Sequence, residues 1–153
     1  MKHNGNLTTE VIEQFIRIVN KYNALENKSY DFGIDKLLTR AEIHTIDAIG
    51  KNAGTNVTQL AERLGITKGA VSQMITRLHS KGLVSKLKDS ENEKELVLIL
   101  TKPGKKAFEG HLEFHLNMYN DFTLLFNEFR SEEFKFFKNV FTRMEYYLDQ
   151  YKK

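Results

Sequence analysis

Two imidazoles stand four residues apart in the stretch FEGHLEFHL, at His111 and His115. In a helix that spacing stacks them on one face, so one rigid element could offer a metal ion two nitrogen ligands. The same pair could instead be a polar intrusion in a core, or part of an ordinary wet surface. A second constellation points to different chemistry. From Arg63 to Lys88 there are six basic residues, at 63, 68, 77, 81, 86 and 88, and no acidic one. A one-signed stretch of that kind is an electrostatic footprint for phosphate.

Composition removes several other chemistries. With no cysteine, the chain has no disulfide, no thiolate nucleophile and no thiol redox sensor. A length of 153 residues, 41% apolar and 28% charged, suits a single soluble domain with one real core. The net charge of +3 permits a nucleic-acid partner without requiring one. The opening residues MKHNGNLTTE contain no apolar run, and the longest aliphatic stretch is LVLIL at 96–100. A signal peptide or spanning helix is therefore not expected, and the cytoplasm is the expected location, with no membrane partner.

The elements that must position these residues are mostly helical. Ile12, Phe15, Val19 and Tyr22 recur at spacings of three and four, which predicts a first helix from near Thr8, a potential N-cap, to about Asn27. Glu26 falls where the next apolar residue is due. Thr39 and Glu42 form a T-x-x-E capping box that opens a second helix at residue 40, with His44 in its second turn. Residues 57–76, VTQLAERLGITKGAVSQMIT, fit a helix-turn-helix. Ala61 is the small contact, Gly65 the turn, and Leu60, Leu64, Ile66, Val71 and Met74 the shared core. The second helix of that pair should run from Thr67 to Lys81.

Next, VSKLKD and ELVLILT read as two strands joined by a polar tip, a wing. Thr101 caps a long helix whose apolar series is Phe108, Met118, Phe122, Leu125 and Phe129; His111 and His115 complete its three-four alternation. Ser131 opens a last helix carrying Phe134, Phe137, Phe141, Met144, Leu148 and Tyr151 on one seam. The fold class is thus mainly α: a winged helix-turn-helix lobe over about 35–101, flanked by dimerisation helices over about 6–28 and 102–152. These seams exceed what one small domain can cover, so a homodimer is expected.

On the second helix of the motif, Thr67, Lys68, Gly69, Ser72, Gln73, Thr76 and Arg77 lie away from the apolar set. Its N-terminal residues would face base edges in the major groove, where Gln can pair with adenine and Lys or Arg with guanine. Lys86 and Lys88 on the adjoining strand are placed to hold the phosphate backbone.

The order of elements, with the stretches LTRAEIHTIDAIG, ITKGAVSQMITRLHSKGLV and LTKPG, resembles the MarR family of transcription regulators across nearly the whole chain. The resemblance implies a homodimeric winged-helix repressor on a pseudo-palindromic operator of double-stranded DNA, and no enzymatic activity. The family's wing usually reads D-x-x-D-R-[RK]; here it reads DSENEK, so Asn92 replaces an aspartate and Glu93 the minor-groove arginine. Lys94 is the cation left to take over that contact.

Four positions are also similar to the zinc-responsive branch of that family. Glu26, His44, His111 and His115 each fall where that branch has a ligand of its primary site. The resemblance implies one Zn2+ per subunit acting as co-repressor, by fixing the first, second and fifth helices and hence the spacing of the recognition helices. Three imidazoles and a carboxylate suit a closed tetrahedral site, with bonds of about 2.0–2.2 Å. The branch's second site uses a cysteine, and here Ile43 and Gly110 occupy two of its positions, so no second site is expected. The competing effector is a small phenolic or similar organic ligand. A zinc hydrolase lacks support, because there is no H-E-x-x-H pattern and four protein ligands leave no open position for water. A pure interaction module fits poorly with the unbroken basic run.

Overall fold

The computed structural model describes residues 4–88 and 96–151. Lys94, with Asn92 and Glu93, lies outside the described residues. Two compact units are present, one ending at His111 and the other beginning at Leu112.

The first unit opens with α1 (Asn4–Glu26). This helix starts a turn earlier than the Thr8 signal predicts and runs through the poor helix formers Asn4, Gly5 and Asn6. α2 (Arg40–Lys51) begins as expected. The Glu42 amide donates to the Thr39 hydroxyl at 3.4 Å, and the Thr39 amide donates back to the Glu42 carboxylate at 2.9 Å. α3 (Val57–Leu64) has a second capping box, Asn56 with Gln59, and ends on Gly65 at φ +65°, a left-handed turn that favours glycine. α4 (Lys68–Ser80) follows with Thr67 as its N-cap.

The wing strands β1 (Val84–Lys88) and β2 (Leu96–Leu100) pair antiparallel, Val84 opposite Leu100 and Lys86 opposite Leu98. The Leu98 amide also donates to the Thr55 carbonyl at 2.8 Å, which ties the hairpin to the α2–α3 connection. α5 (Lys102–Phe126) begins in this unit. The Thr101 hydroxyl accepts from the Gly104 amide at 3.2 Å and donates to the Gly82 carbonyl at 2.7 Å, so the predicted cap also fastens the helix to the end of the motif.

The core of this unit contains Leu38, Ile43, Ile46 and Ile49 from in and before α2, and Leu60 and Ala61 from α3. α4 adds Val71, Ile75 and Leu78; the hairpin adds Val84, Leu98 and Leu100, with Leu83 beside it. One of the expected core positions differs. Ile66 is 45% exposed because it lies between the left-handed Gly65 and the cap Thr67, where the chain bends outward. Leu64 and Met74 are half-buried and pack against this core.

In the second unit α5 ends at Phe126, so Phe129 is not the last member of its stripe. It sits in the connection to α6 (Ser131–Gln150) and meets the ring of Phe137 edge-on at 5.4 Å, while Phe126 lies 5.1 Å from Phe134. No residue of α6 is buried. Among the described residues, no helix is long and apolar enough to cross a membrane.

Candidate nucleic-acid interface and effector site

The turn at Gly65 and the cap at Thr67 fix where α4 starts, and burial of Val71, Ile75 and Leu78 fixes which side faces inward. The opposite side carries two adjacent rows at four-residue spacing, Lys68–Ser72–Thr76 and Gly69–Gln73–Arg77, all exposed. Two hydroxyls in this region already have internal partners: Thr67 accepts from the Ala70 amide at 3.2 Å, and Thr76 donates to the Ser72 carbonyl at 2.9 Å. Gly69 is not required by the packing, for a Cβ there would meet nothing closer than the Thr67 hydroxyl at 3.9 Å.

Lys86 and Lys88 are exposed on β1. Pairing places them on the same face of the hairpin as Val84, Leu98 and Leu100, continuing the core face outward beyond the core. Among the described residues, Lys68, Arg77, Lys86 and Lys88 make no ion pair, so their charge is available to a partner.

Lys81 belongs elsewhere. Its ammonium lies 2.7 Å from the buried Glu42 carboxylate and 3.2 Å from the Leu37 carbonyl, while Lys36 donates to the Lys81 carbonyl at 2.7 Å. Burial pushes the Glu42 carboxyl up, but the Lys81 ammonium and the Thr39 amide and hydroxyl outweigh it and hold the group below its usual range. One cation of the basic stretch thus joins α4 to α2 and does not face outward.

Three of the four residues expected to bind metal, Glu26, His44 and His111, lie in the first unit. Glu26, at the end of α1, is buried, and its Oε2 lies 3.2 Å from His44 Nε2 and 3.8 Å from Arg40 Nε. His111 is buried with its ring centroid 5.6 Å from that of His44 and edge-on to Phe32 at 5.4 Å. His115 is in the other unit, half-buried between Phe114 and Tyr119. Among the described residues, no three His, Asp or Glu side chains are gathered as a metal site. Glu26 is shared between Arg40 and His44, and His111 Nδ1 faces Asp47 Oδ1 at 3.8 Å. The donor chemistry nevertheless fits zinc. Ligands on a tetrahedral ion with bonds of about 2.0 Å lie roughly 3.3 Å apart, close to the observed 3.2 Å between Glu26 and His44.

Asp47 was not singled out from the sequence, although its spacing of three from His44 put both on one face of α2. A surface cleft of about 590 Å³ also lies between the 33–35 loop and the start of α5, lined by Lys102, Lys105 and Lys106.

The MarR family profile matches residues 38–96. YhjH, an HTH-type transcriptional regulator of Bacillus subtilis, is 32% identical over 117 residues, which cover 76% of this chain and 67% of that protein. The chain belongs to the MarR family. Members of this family are transcriptional regulators, not enzymes. A second relative, the Bacillus subtilis HTH-type regulator YvnA, is 31% identical over 97 residues, which cover 63% of this chain and 62% of that one.

Solved structures show the same MarR fold. FabT of Streptococcus pneumoniae, crystallised in complex with DNA, matches with a TM-score of 0.70 at 23% identity, covering 94% of this chain and 98% of FabT. ZitR of Lactococcus lactis, a zinc-responsive MarR family member, matches with a TM-score of 0.75 at 17% identity, covering 92% and 99%.

Proposed function

We propose that this MarR chain is a repressor that binds a pseudo-palindromic operator as a homodimer. The region of about 35–101 forms the DNA-binding lobe, and the helices of about 6–28 and 102–152 form the dimer contact. The observation that carries this reading is the exposed face of α4, where two side-chain rows include cations that make no ion pair among the described residues. In this reading Lys68, Ser72, Gln73 and Arg77 meet base edges and nearby phosphates, while Thr67 and Thr76 add oxygen contacts. Lys86 and Lys88 hold the backbone, and Lys94 takes the minor-groove contact. Gly69 lets the helix approach closely. DNA-bound FabT and ZitR structures of the same fold support this docking mode.

The test starts by selecting preferred duplexes from a random pool, then measures affinity by fluorescence anisotropy across salt concentrations. Removing both Lys86 and Lys88 should weaken all duplexes alike. Their loss takes four phosphate contacts from a dimer, so the log–log salt slope should fall by about 3.6. Gln73→Ala should instead narrow the gap between preferred and scrambled duplexes. An unchanged slope and an unchanged gap would sink the reading.

The same proposal includes zinc as co-repressor. Its support is the 3.2 Å contact of Glu26 with His44, beside the buried His111, together with the likeness to ZitR. Glu26, His44, His111 and His115 would hold the ion, which would supply a cross-link among α1, α2 and α5. If zinc favours the DNA-competent spacing, DNA must raise zinc affinity by the same factor. Operator affinity that ignores both zinc and chelator would remove this part. A decrease in affinity with phenolic anions would put an organic effector in its place.

A further inference from the structure

Asp47 uses only half of its carboxylate. Its Oδ2 is 2.8 Å from Lys51 Nζ, one turn along α2. Its Oδ1 is buried, with no hydrogen-bond partner among the described residues, and lies 3.8 Å from Nδ1 of the buried His111. A carboxylate oxygen withdrawn from water is stabilised by a donor, and the facing group is an imidazole nitrogen, which donates only if that nitrogen carries the proton. Phe32 and His44 flank the same ring at 5.4 and 5.6 Å between centroids, so Asp47 is one of several groups that surround it.

We propose that Asp47 is a positioning residue for the candidate metal centre: it holds His111 as the Nδ1–H tautomer and leaves the Nε2 lone pair for a divalent cation. The proposal rests on the zinc reading above. A carboxylate behind a ligating histidine fixes ring orientation and raises its basicity, and loss of such a partner weakens metal binding by about 10–100-fold.

Two measurements test it separately. Long-range proton–nitrogen spectra of the labelled, metal-free protein, taken above the histidine titration range, report the tautomer of each ring. Wild-type protein should show His111 protonated on Nδ1. Asp47→Asn keeps an acceptor oxygen and should retain that pattern, Asp47→Leu should lose it, and Lys51→Met should leave it unmoved. Zinc affinity, measured by competition with a chromophoric chelator, should fall about 10–100-fold in Asp47→Leu and much less in Asp47→Asn. A proton on Nε2 in the wild type, or an Asp47→Leu spectrum like the wild type's, overturns the assignment. Equal zinc affinities in wild type and Asp47→Leu overturn it as well. If the wild type binds no zinc, the metal part of the assignment is overturned with the zinc reading, and the tautomer decides separately whether Asp47 orients His111. Melting curves and circular dichroism of each variant separate a folding defect from a lost interaction.

Discussion

Single side chains in this protein divide into those the fold consumes and those it leaves for a partner. Gly69 is the sharpest instance of the second kind, because no neighbour would obstruct a methyl group there. Alanine is the better helix former, and its advantage over glycine reaches about 1 kcal/mol in a helix interior. Gly69→Ala should therefore leave the melting temperature unchanged or raise it, while weakening operator binding at least several-fold. A variant that binds like the wild type would show that no close approach occurs at this residue. Glu42 is of the first kind. Its carboxyl is held below the ordinary value of 4.5, so the ionised form is favoured by folding. That contribution is complete above about pH 4.5 and disappears as the pH falls through the lowered folded value. Thermal melts should show Glu42→Gln less stable than the wild type at pH 7, with the difference shrinking toward pH 3. Lys81→Met leaves Glu42 buried without its cation and should cost about 1–3 kcal/mol at pH 7, with partial recovery in acid. The role of Glu42 was legible because a capping box is a local pattern. Lys81 was not, since its 39-residue separation from Glu42 hides the ion pair inside a basic run. Asp47 escaped for a similar reason: a His-x-x-Asp spacing gains meaning only when His111 of a distant helix is beside it.

At the scale of elements, the helix-turn-helix was readable because its demands are short-range: a left-handed glycine, a cap, and apolar residues at fixed offsets. Gly65 and Thr67 meet those demands, and α4 starts and stops within a residue of expectation. The template fails only at Ile66, where the turn geometry overrides hydrophobicity. The start of α1 was less legible, because the cap signal at Thr8 falls inside the helix, and the stripe of α5 ran past its true end since periodicity alone does not mark termination. The LTKPG stretch carries a packing requirement that its letters did not reveal. A Cβ at Gly104 would collide with the Leu83 carbonyl, so the first turn of α5 can lie against the end of the motif only with glycine there. The Thr101 hydroxyl bonds on either side of this contact depend on the same approach. Gly104→Ala should destabilise the protein by about 1–3 kcal/mol, despite alanine's helix propensity. Chemical denaturation checks this, and a neutral or stabilised variant would mean that α5 is not held by this contact.

For the whole molecule, the decisive feature is apolar surface without cover. On α1, Leu7, Val11, Ile12, Ile16 and Ile18 are each more than half exposed, and α6 exposes Phe136, Tyr146, Tyr147 and Leu148 to a similar degree. Isolated exposed residues of this kind are ordinary, but repeated ones along two long helices are the surface that the proposed dimer would cover. The sequence indicated this through seams too numerous for one small core. It could not say how much would stay uncovered, which depends on packing between residues far apart in the chain. A dimer also matters to DNA binding through effective concentration. Joining two lobes makes the second half-site encounter intramolecular, and such linkage raises overall binding by about 10²–10⁴-fold without any new contact. Placing charge on α6, as in a Phe141→Glu, Leu148→Glu double variant, should shift the protein from dimer to monomer in sedimentation runs at micromolar concentration. The first unit, with its recognition helix, keeps its own core, so binding to a single half-site should persist. Binding to the full palindrome should fall by at least 10²-fold and lose its cooperativity. If the double variant stayed dimeric, α6 would not be part of the interface. If it became monomeric yet bound the palindrome as tightly as the wild type, the two recognition helices would not act as a joined pair, and the proposed repressor would need a different geometry on DNA.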